Sequence, residues 1–143
     1  MGYGPNPDKR YLTTYFRRSF TVTNPAQFGK LTLNLLRDDG AVVYINGSEV
    51  FRSNMPAGAI AYDTLASVIL DPPDEVTFVK ASLTPALLKA GTNTIAVEVH
   101  QAIENSVDLS FDLSLIGGTE PATVIRGPYL QTATTNSIVV RWR

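Results

Sequence analysis

Three side chains that could take part in chemistry lie together near the end of one alternating segment: Glu98, His100 and Gln101. An imidazole near a carboxylate can act as a general base, but no strained serine turn of the nucleophile-elbow type accompanies His100. His100 falls on the polar side of the alternation, which predicts a histidine on a sheet face that is hydrogen-bonded to a neighbour. The alternative is that Glu98, His100 and Gln101 contact a ligand such as a sugar on an exposed sheet face.

A second polar group follows an Asn-Gly turn, in the segment that contains Arg52 and Asn54. This segment brings a guanidinium and an amide to the expected end of a sheet, so both residues are candidates for polar contacts with a ligand. An exposed aromatic ring nearby would offer a sugar a stacking platform, whereas aromatic residues in strands mostly belong to the core. The aromatic candidates are Tyr44, Phe51, Tyr62 and Phe78.

Two consecutive carboxylates, Asp38 and Asp39, precede Gly40. Calcium prefers clustered carboxylate and carbonyl oxygens, so the pair is a candidate structural calcium site, and no other cofactor is predicted. Asp-Gly is also a common turn, and an ion pair with Arg17 or Arg18 is a further alternative. Consecutive residues of a strand face opposite sides, so the pair is a poor match to the two facing carboxylates of a glycosidase.

Composition narrows the function classes further. The 143 residues include 12 Lys and Arg, 13 Asp and Glu, one His and no Cys, and they contain no basic run. This balance argues against binding to nucleic acid, and the absence of an apolar stretch of about 20 residues argues against membrane insertion. A single histidine is too few for a two-metal hydrolytic centre, so we expect no catalysis by this chain.

The elements that must position these side chains are strands, because apolar and polar residues alternate with a period of two in segments that are separated by turn residues. Asn46-Gly47 favours a type I′ hairpin, and residues 31–52 are predicted to form a three-stranded antiparallel meander with Asp39-Gly40 as a tight turn. Thr84 and Pro85 predict the start of a single helical turn. With no long helix, the pattern predicts an all-β antiparallel sandwich or barrel. The predicted strands are 11–23, 31–35, 41–45, 48–52, 62–70, 76–80, 92–101 and 108–116.

Four segments carry a family resemblance: YFRRSFTV at 15–22, LTLNLLRDDGAVVYINGSEVFRSNMP at 31–56, LTPALLKAGTNTIAVEVHQ at 83–101 and DLSFDLSLIG at 108–117. Together they resemble a galactose-binding-like jelly roll, as found in the sugar-binding domain of β-galactosidases and in accessory domains of secreted bacterial proteins. The resemblance implies an antiparallel β-sandwich of the jelly-roll type over residues 1–117. It leaves open whether the first strands of the sandwich are present.

The tail RGPYLQTATTNSIVVRWR at 126–143 is similar to the opening strands of the fibronectin-III-like domain in purple-acid-phosphatase-like metallophosphoesterases. In that resemblance Trp142 is a core tryptophan, residues 118–124 are a linker and residues 125–143 are the incomplete start of the next domain. The whole resemblance implies a non-catalytic accessory domain of a secreted bacterial metallophosphoesterase. Its expected partners are carbohydrate or a cell-surface polymer and neighbouring domains of the same chain. The alternative is a purely structural domain that orients the catalytic domain.

Overall fold

The computed structural model describes residues 4, 6, 8–119 and the backbone of residues 139–142. The described part contains no helix that is long and apolar enough to cross a membrane. Its helical segments are three short 3₁₀ turns at Pro25–Gln27, Asp74–Val76 and Pro85–Leu87. Its strands are β1 (Thr13–Val22), β2 (Lys30–Arg37), β3 (Gly40–Ile45), β4 (Ser48–Ser53), β5 (Val79–Leu83), β6 (Gly91–His100), β7 (Phe111–Gly118) and β8 (Val139–Trp142).

The strands form two four-stranded antiparallel sheets that enclose one core. The first sheet has the order β1-β6-β3-β4 and the second has the order β5-β2-β7-β8. Alternate residues of both sheets are buried between them, and the rings of Phe16 and Phe111 stack across the core at 4.2 Å. Each fully buried Leu or Ile contributes about 1.5–3 kcal/mol relative to an exposed one, which makes this core the main stabilising feature. The predicted all-β sandwich is confirmed.

Two local predictions are confirmed in detail. Asn46 and Gly47 have φ values of 52° and 85°, so both central residues of the β3–β4 turn have the positive φ that a type I′ turn requires. The turn at Pro85–Leu87 begins as predicted, because the Thr84 hydroxyl accepts a hydrogen bond from the Ala86 backbone N–H at 3.3 Å. Both features depend on short-range backbone chemistry.

The predicted meander over residues 31–52 is wrong. β3 and β4 form the expected hairpin, but β2 pairs with β5 and β7 in the second sheet. The Asp38-Asp39-Gly40 segment is therefore a connection between the two sheets and not a tight turn within one. Alternation shows which side chains of a strand face the core, but it does not select the neighbouring strand.

The predicted strand over residues 62–70 is also wrong, because residues 54–78 form a loop whose regular structure is the turn Asp74–Val76. We call residues 54–78 the covering loop. Its backbone N–H groups form hydrogen bonds that do not belong to strand pairing. Ser67 donates to the Asn54 carbonyl at 2.9 Å and Ala66 donates to the Gln101 carbonyl at 3.0 Å. Two other predicted strands begin late, at Val79 for β5 and at Phe111 for β7.

The C-terminal tail is described only in part. β8 pairs with β7 at the edge of the second sheet. Residues 120–138 and 143 and the side chain of Trp142 lie outside the described residues. The predicted linker at 118–124 and the fibronectin-III-like start at 125–143 stay predictions.

Candidate functional site

The covering loop is anchored by two of the predicted ligand contacts, Arg52 and Asn54. The Arg52 guanidinium donates to both Glu49 carboxylate oxygens at 2.6 and 2.7 Å and to the carbonyls of Pro56 and Gly58 at 2.5 and 3.2 Å. The Asn54 side chain donates to the Val68 carbonyl at 2.7 Å and accepts from the Val68 N–H at 3.3 Å. Their polar atoms bind this chain itself, so their structural role is to fix the loop.

Three further candidates, Tyr44, Glu98 and His100, form a row across the first sheet. The Tyr44 hydroxyl donates to Glu98 Oε1, and Glu98 Oε2 lies 3.6 Å from His100 Nε2. Burial and the hydrogen bond to the Glu98 carboxylate raise the pKa of Tyr44, which keeps its proton. The structure therefore brings these three predicted residues together.

His100 does not lie on an exposed sheet face, contrary to the second interpretation of the sequence. Its side chain is 0% exposed because the covering loop lies over it. His100 Nδ1 is 2.7 Å from the Thr64 carbonyl and 3.0 Å from the Thr13 hydroxyl. A carbonyl only accepts hydrogen bonds, so Nδ1 donates to it, while Nε2 is buried and has no hydrogen-bond partner among the described residues.

Glu98 and Gln101 are also covered. Glu98 is 8% exposed and Gln101 is 4% exposed, so the predicted wet face of β6 is absent at this end of the strand. The Gln101 amide donates to the Asp108 carbonyl at 2.8 Å, and its backbone N–H donates to the Leu12 carbonyl at 2.9 Å. Gln101 thus ties the chain before β1 to the chain after β6.

Beside this covered row a cavity of about 490 Å³ opens to solvent. It is lined by Tyr11 and Tyr62, whose side chains are 54% and 48% exposed. We call this cavity the tyrosine pocket. Its charged lining residues are Lys9, Arg10, Asp63 and Glu104.

Both sides of the tyrosine pocket are attached to the chain that follows β6. On one side, Arg10 donates its backbone N–H to the Glu104 carbonyl at 2.9 Å, next to the Gln101–Leu12 bond. On the other side, Ala66 donates to the Gln101 carbonyl at 3.0 Å. The pocket is therefore supported by ordered backbone on both sides.

The aromatic candidates of the sequence divide into two groups. Phe51 packs on the core and Tyr44 is half-buried in its bond to Glu98, so neither offers a free face. Tyr62 lines the tyrosine pocket as a stacking platform would, and Phe78 is exposed on a different part of the loop. Tyr15, on the neighbouring strand β1, is 61% exposed.

Several pocket residues were not found from the sequence. Tyr11 lies on the polar parity of the predicted strand 11–23, and a large ring on a polar parity is a signal for an exposed aromatic side chain. Asp63 falls in a predicted strand that does not form, and Glu104 lies between predicted strands, so no local signal marks either residue. Only the fold brings them to the same cavity.

A second cavity, of about 270 Å³, lies where the connection between the sheets meets the covering loop. One carboxylate oxygen each of Asp38, Glu75 and Asp108 lies within 4.8 Å of the others. We call this cavity the acidic pocket. Burial and the nearby carboxylates, Asp39 first, raise the pKa of Asp38 to about 7.

The structure gives different roles to the two carboxylates of the predicted calcium site, Asp38 and Asp39. Asp39 Oδ1 accepts from the Leu70 N–H at 2.7 Å and Oδ2 accepts from the Ala102 N–H at 2.8 Å, so its carboxylate joins two loops. Asp38 faces Glu75 and Asp108 instead, and those three carboxylates are the group that could hold a divalent cation.

Comparisons with known proteins give a likeness of fold. No protein-family model matches the chain, and no curated protein matches it. An alpha-L-rhamnosidase of Streptomyces avermitilis, solved with L-rhamnose, is similar with a TM-score of 0.57 and 18% identity over 95% of this chain. An alpha-L-rhamnosidase from Dictyoglumus thermophilum is similar with a TM-score of 0.52 and 12% identity over 92% of this chain.

This chain spans 10% and 12% of the lengths of those two structures. The likeness shows the fold, an antiparallel β-sandwich that agrees with the galactose-binding-like jelly roll expected from the sequence. The similar regions belong to carbohydrate-active enzymes. A metallophosphoesterase context receives no support from them.

Proposed function

We propose that this chain is a non-catalytic accessory domain that binds carbohydrate in the tyrosine pocket. The observation that carries the proposal is the pair of half-exposed rings, Tyr11 and Tyr62, in a cavity of about 490 Å³. Ligand pockets of about 300–1,000 Å³ with aromatic linings and a few polar groups are typical of small-molecule sites. The volume and the lining fit one or two sugar rings.

The side chains of the pocket match the two kinds of surface on a sugar. The C–H face of a pyranose ring is apolar and packs on an aromatic ring such as Tyr62. The hydroxyl groups both donate and accept, so they match carboxylates such as Asp63 and Glu104 together with the cations Lys9 and Arg10. The two charge signs are balanced, which favours a neutral sugar.

The larger context is also part of the proposal. The rhamnosidase likeness supports attachment to a carbohydrate-active protein, while the tail at 126–143 resembles a metallophosphoesterase context. We propose an exported multidomain parent in either case, because accessory sandwich domains of this kind act beside a catalytic domain. The catalytic groups of that parent would lie outside this chain.

A structural role without a ligand is the second candidate. It is favoured by exposed aliphatic side chains that line the acidic pocket, above all Val107 at 66% and Ile69 at 53%. Apolar groups exposed together suit contact with a neighbouring domain. Deleting the domain from the parent would then lower stability without changing affinity for polymeric substrates.

A glycan array followed by titration calorimetry tests the binding proposal, with L-rhamnose among the neutral sugars because a structural neighbour was solved with it. Tyr62→Ala is expected to weaken binding about tenfold or more, since it removes one stacking face. The matched control is Phe78→Ala, an exposed ring outside the pocket, which should bind as the wild type does.

Two results would contradict the proposal. The first is a folded sample that binds no sugar on the array or in the calorimeter. The second is hydrolysis of chromogenic glycosides by the purified chain, which would replace a binding role with a catalytic one.

A further inference from the structure

A single tight turn carries two residues of the tyrosine pocket. Ala61 donates its N–H to the Thr64 hydroxyl at 2.9 Å, and Thr64 donates its N–H back to the Ala61 carbonyl at 3.0 Å. Tyr62 and Asp63 occupy the middle of this turn and line the pocket. The position of the turn therefore determines where the Tyr62 ring stands.

Two buried side chains hold the turn on the first sheet. The Thr13 hydroxyl donates to the Tyr62 carbonyl at 2.5 Å, and His100 Nδ1 donates to the Thr64 carbonyl at 2.7 Å. Thr13 and His100 are register partners on β1 and β6, so the two anchors stand side by side. Strands are stiff supports, and a turn fixed at two carbonyls loses most of its freedom.

The other nitrogen of the same imidazole makes no hydrogen bond to the described residues. His100 Nε2 is buried and lies 3.6 Å from Glu98 Oε2. The hydrogen bonds that hold the ring to the described residues are therefore those of Nδ1.

We propose that His100 is a positioning residue of the sugar site, which holds the Ala61–Thr64 turn and thereby fixes the Tyr62 ring for sugar binding. The inference rests on the proposed function of the tyrosine pocket. The hydrogen bond from Nδ1 to the Thr64 carbonyl keeps the turn in one position before a sugar arrives, so less freedom is lost on binding.

Charged and polar groups from several elements stand near the imidazole. On its own strand it faces Glu98, whose carboxylate also accepts from Tyr44 of β3. Tyr15 of β1 stands opposite Glu98, and the covering loop contributes the Tyr62 and Thr64 carbonyls near the ring. From the connection between the sheets, Asp39 donates its backbone N–H to the His100 carbonyl at 3.3 Å, while its carboxylate binds other N–H groups.

Two substitutions of His100 separate its hydrogen bond from its bulk. His100→Asn keeps a donor close to the place of Nδ1, so it should bind sugar within about threefold of the wild type. His100→Leu removes the donor and leaves the Thr64 carbonyl unpaired, so binding should weaken about tenfold. Titration calorimetry measures both affinities.

A substitution of the second anchor tests whether holding the turn is what determines sugar affinity. Thr13→Val should weaken binding as His100→Leu does, because it releases the Tyr62 carbonyl. Hydrogen exchange of the Thr64 amide in the intact chain should speed up in Thr13→Val and His100→Leu even where the overall fold persists.

The outcomes are separable. If His100→Leu and Thr13→Val leave sugar affinity unchanged while Tyr62→Ala weakens it, the site is correct and the role of His100 is wrong. If His100→Asn binds as weakly as His100→Leu, the hydrogen bond from Nδ1 is not what positions the site and the proposal is also wrong. If Tyr62→Ala has no effect, the proposed function itself fails.

Discussion

The tyrosine pocket and the acidic pocket share two lining segments, the covering loop and the chain after β6. The tyrosine pocket is completed by the chain before β1, and it combines aromatic rings with carboxylates and cations. The acidic pocket is completed by the connection between the sheets, and burial and like charges there raise the pKa of Asp38 to about 7. The same two segments thus contribute to one charge-balanced pocket and one acidic pocket.

The comparison shows how one loop contributes to two different pockets. Asp39 is the link, because its carboxylate joins Leu70 of the covering loop to Ala102 after β6. The turn at Ala61–Thr64 lines the tyrosine pocket, and residues between Ile69 and Glu75 line the acidic pocket. A substitution of a residue that lines one pocket is expected to affect that pocket alone, whereas a substitution of Asp39 should affect both.

The largest effect is expected for Asp39→Ala. It leaves two half-buried N–H groups without their carboxylate acceptor, which costs about 2–4 kcal/mol of unfolding free energy. Urea denaturation measures the loss, and sugar affinity should fall as well. Asp71→Ala, an exposed carboxylate of the acidic pocket, is the control and should change stability by less than about 0.5 kcal/mol. Equal stability of the two variants would contradict the linking role of Asp39.

A smaller effect is expected for Gly40→Ala, which inserts a methyl group beneath the covering loop. The added Cβ would lie 2.5 Å from Met55 Sδ and 2.8 Å from both Ala66 Cβ and the Asn54 carbonyl oxygen. Overpacking of this kind costs about 1–3 kcal/mol, measured by denaturation. Gly118→Ala, with its nearest neighbours 3.8 Å away, should be nearly neutral. A neutral Gly40→Ala would mean that the loop is not held where it stands.

The smallest effect is expected for the titration of Asp38, and it should be confined to the acidic pocket. Its pKa is about 7 in the fold and 3.8 for an ordinary aspartate, so the folded state binds a proton more readily between these values. Stability should therefore fall as pH rises from about 4 to 7, by about 1–2 kcal/mol after allowance for screening by solvent. Thermal unfolding with EDTA across this range measures it.

Asp38→Asn should flatten this part of the pH profile and exceed the wild type in stability above pH 7. A wild-type stability that rises from pH 4 to pH 7 would contradict the raised pKa of Asp38. So would a fall in stability over this range that is unchanged in Asp38→Asn. Millimolar calcium that stabilises the wild type but not Asp38→Asn would support the calcium prediction for this pocket.

Most of the regular structure could be predicted from the sequence because that structure follows local rules. Alternation identified the cores of β1, β6 and β7, and the Asn46-Gly47 pair identified the hairpin. The candidate site was predicted less well. Tyr44, Glu98 and His100 do meet, but Glu98 and His100 are buried, and His100 is bonded to the covering loop.

The order of the amino acids is enough to establish an all-β sandwich with one aliphatic core, since a period of two places alternate side chains on one face. The tertiary structure was needed to show that β2 belongs to the second sheet and that the covering loop buries the end of β6. It was also needed to show which charged side chains line the same pocket. Asp38, Glu75 and Asp108 are far apart in the chain, as are Tyr11 and Tyr62, so no local pattern encodes their meeting. They meet because the covering loop is hydrogen-bonded to the first sheet and to the chain after β6, and those hydrogen bonds exist only once the whole chain has folded.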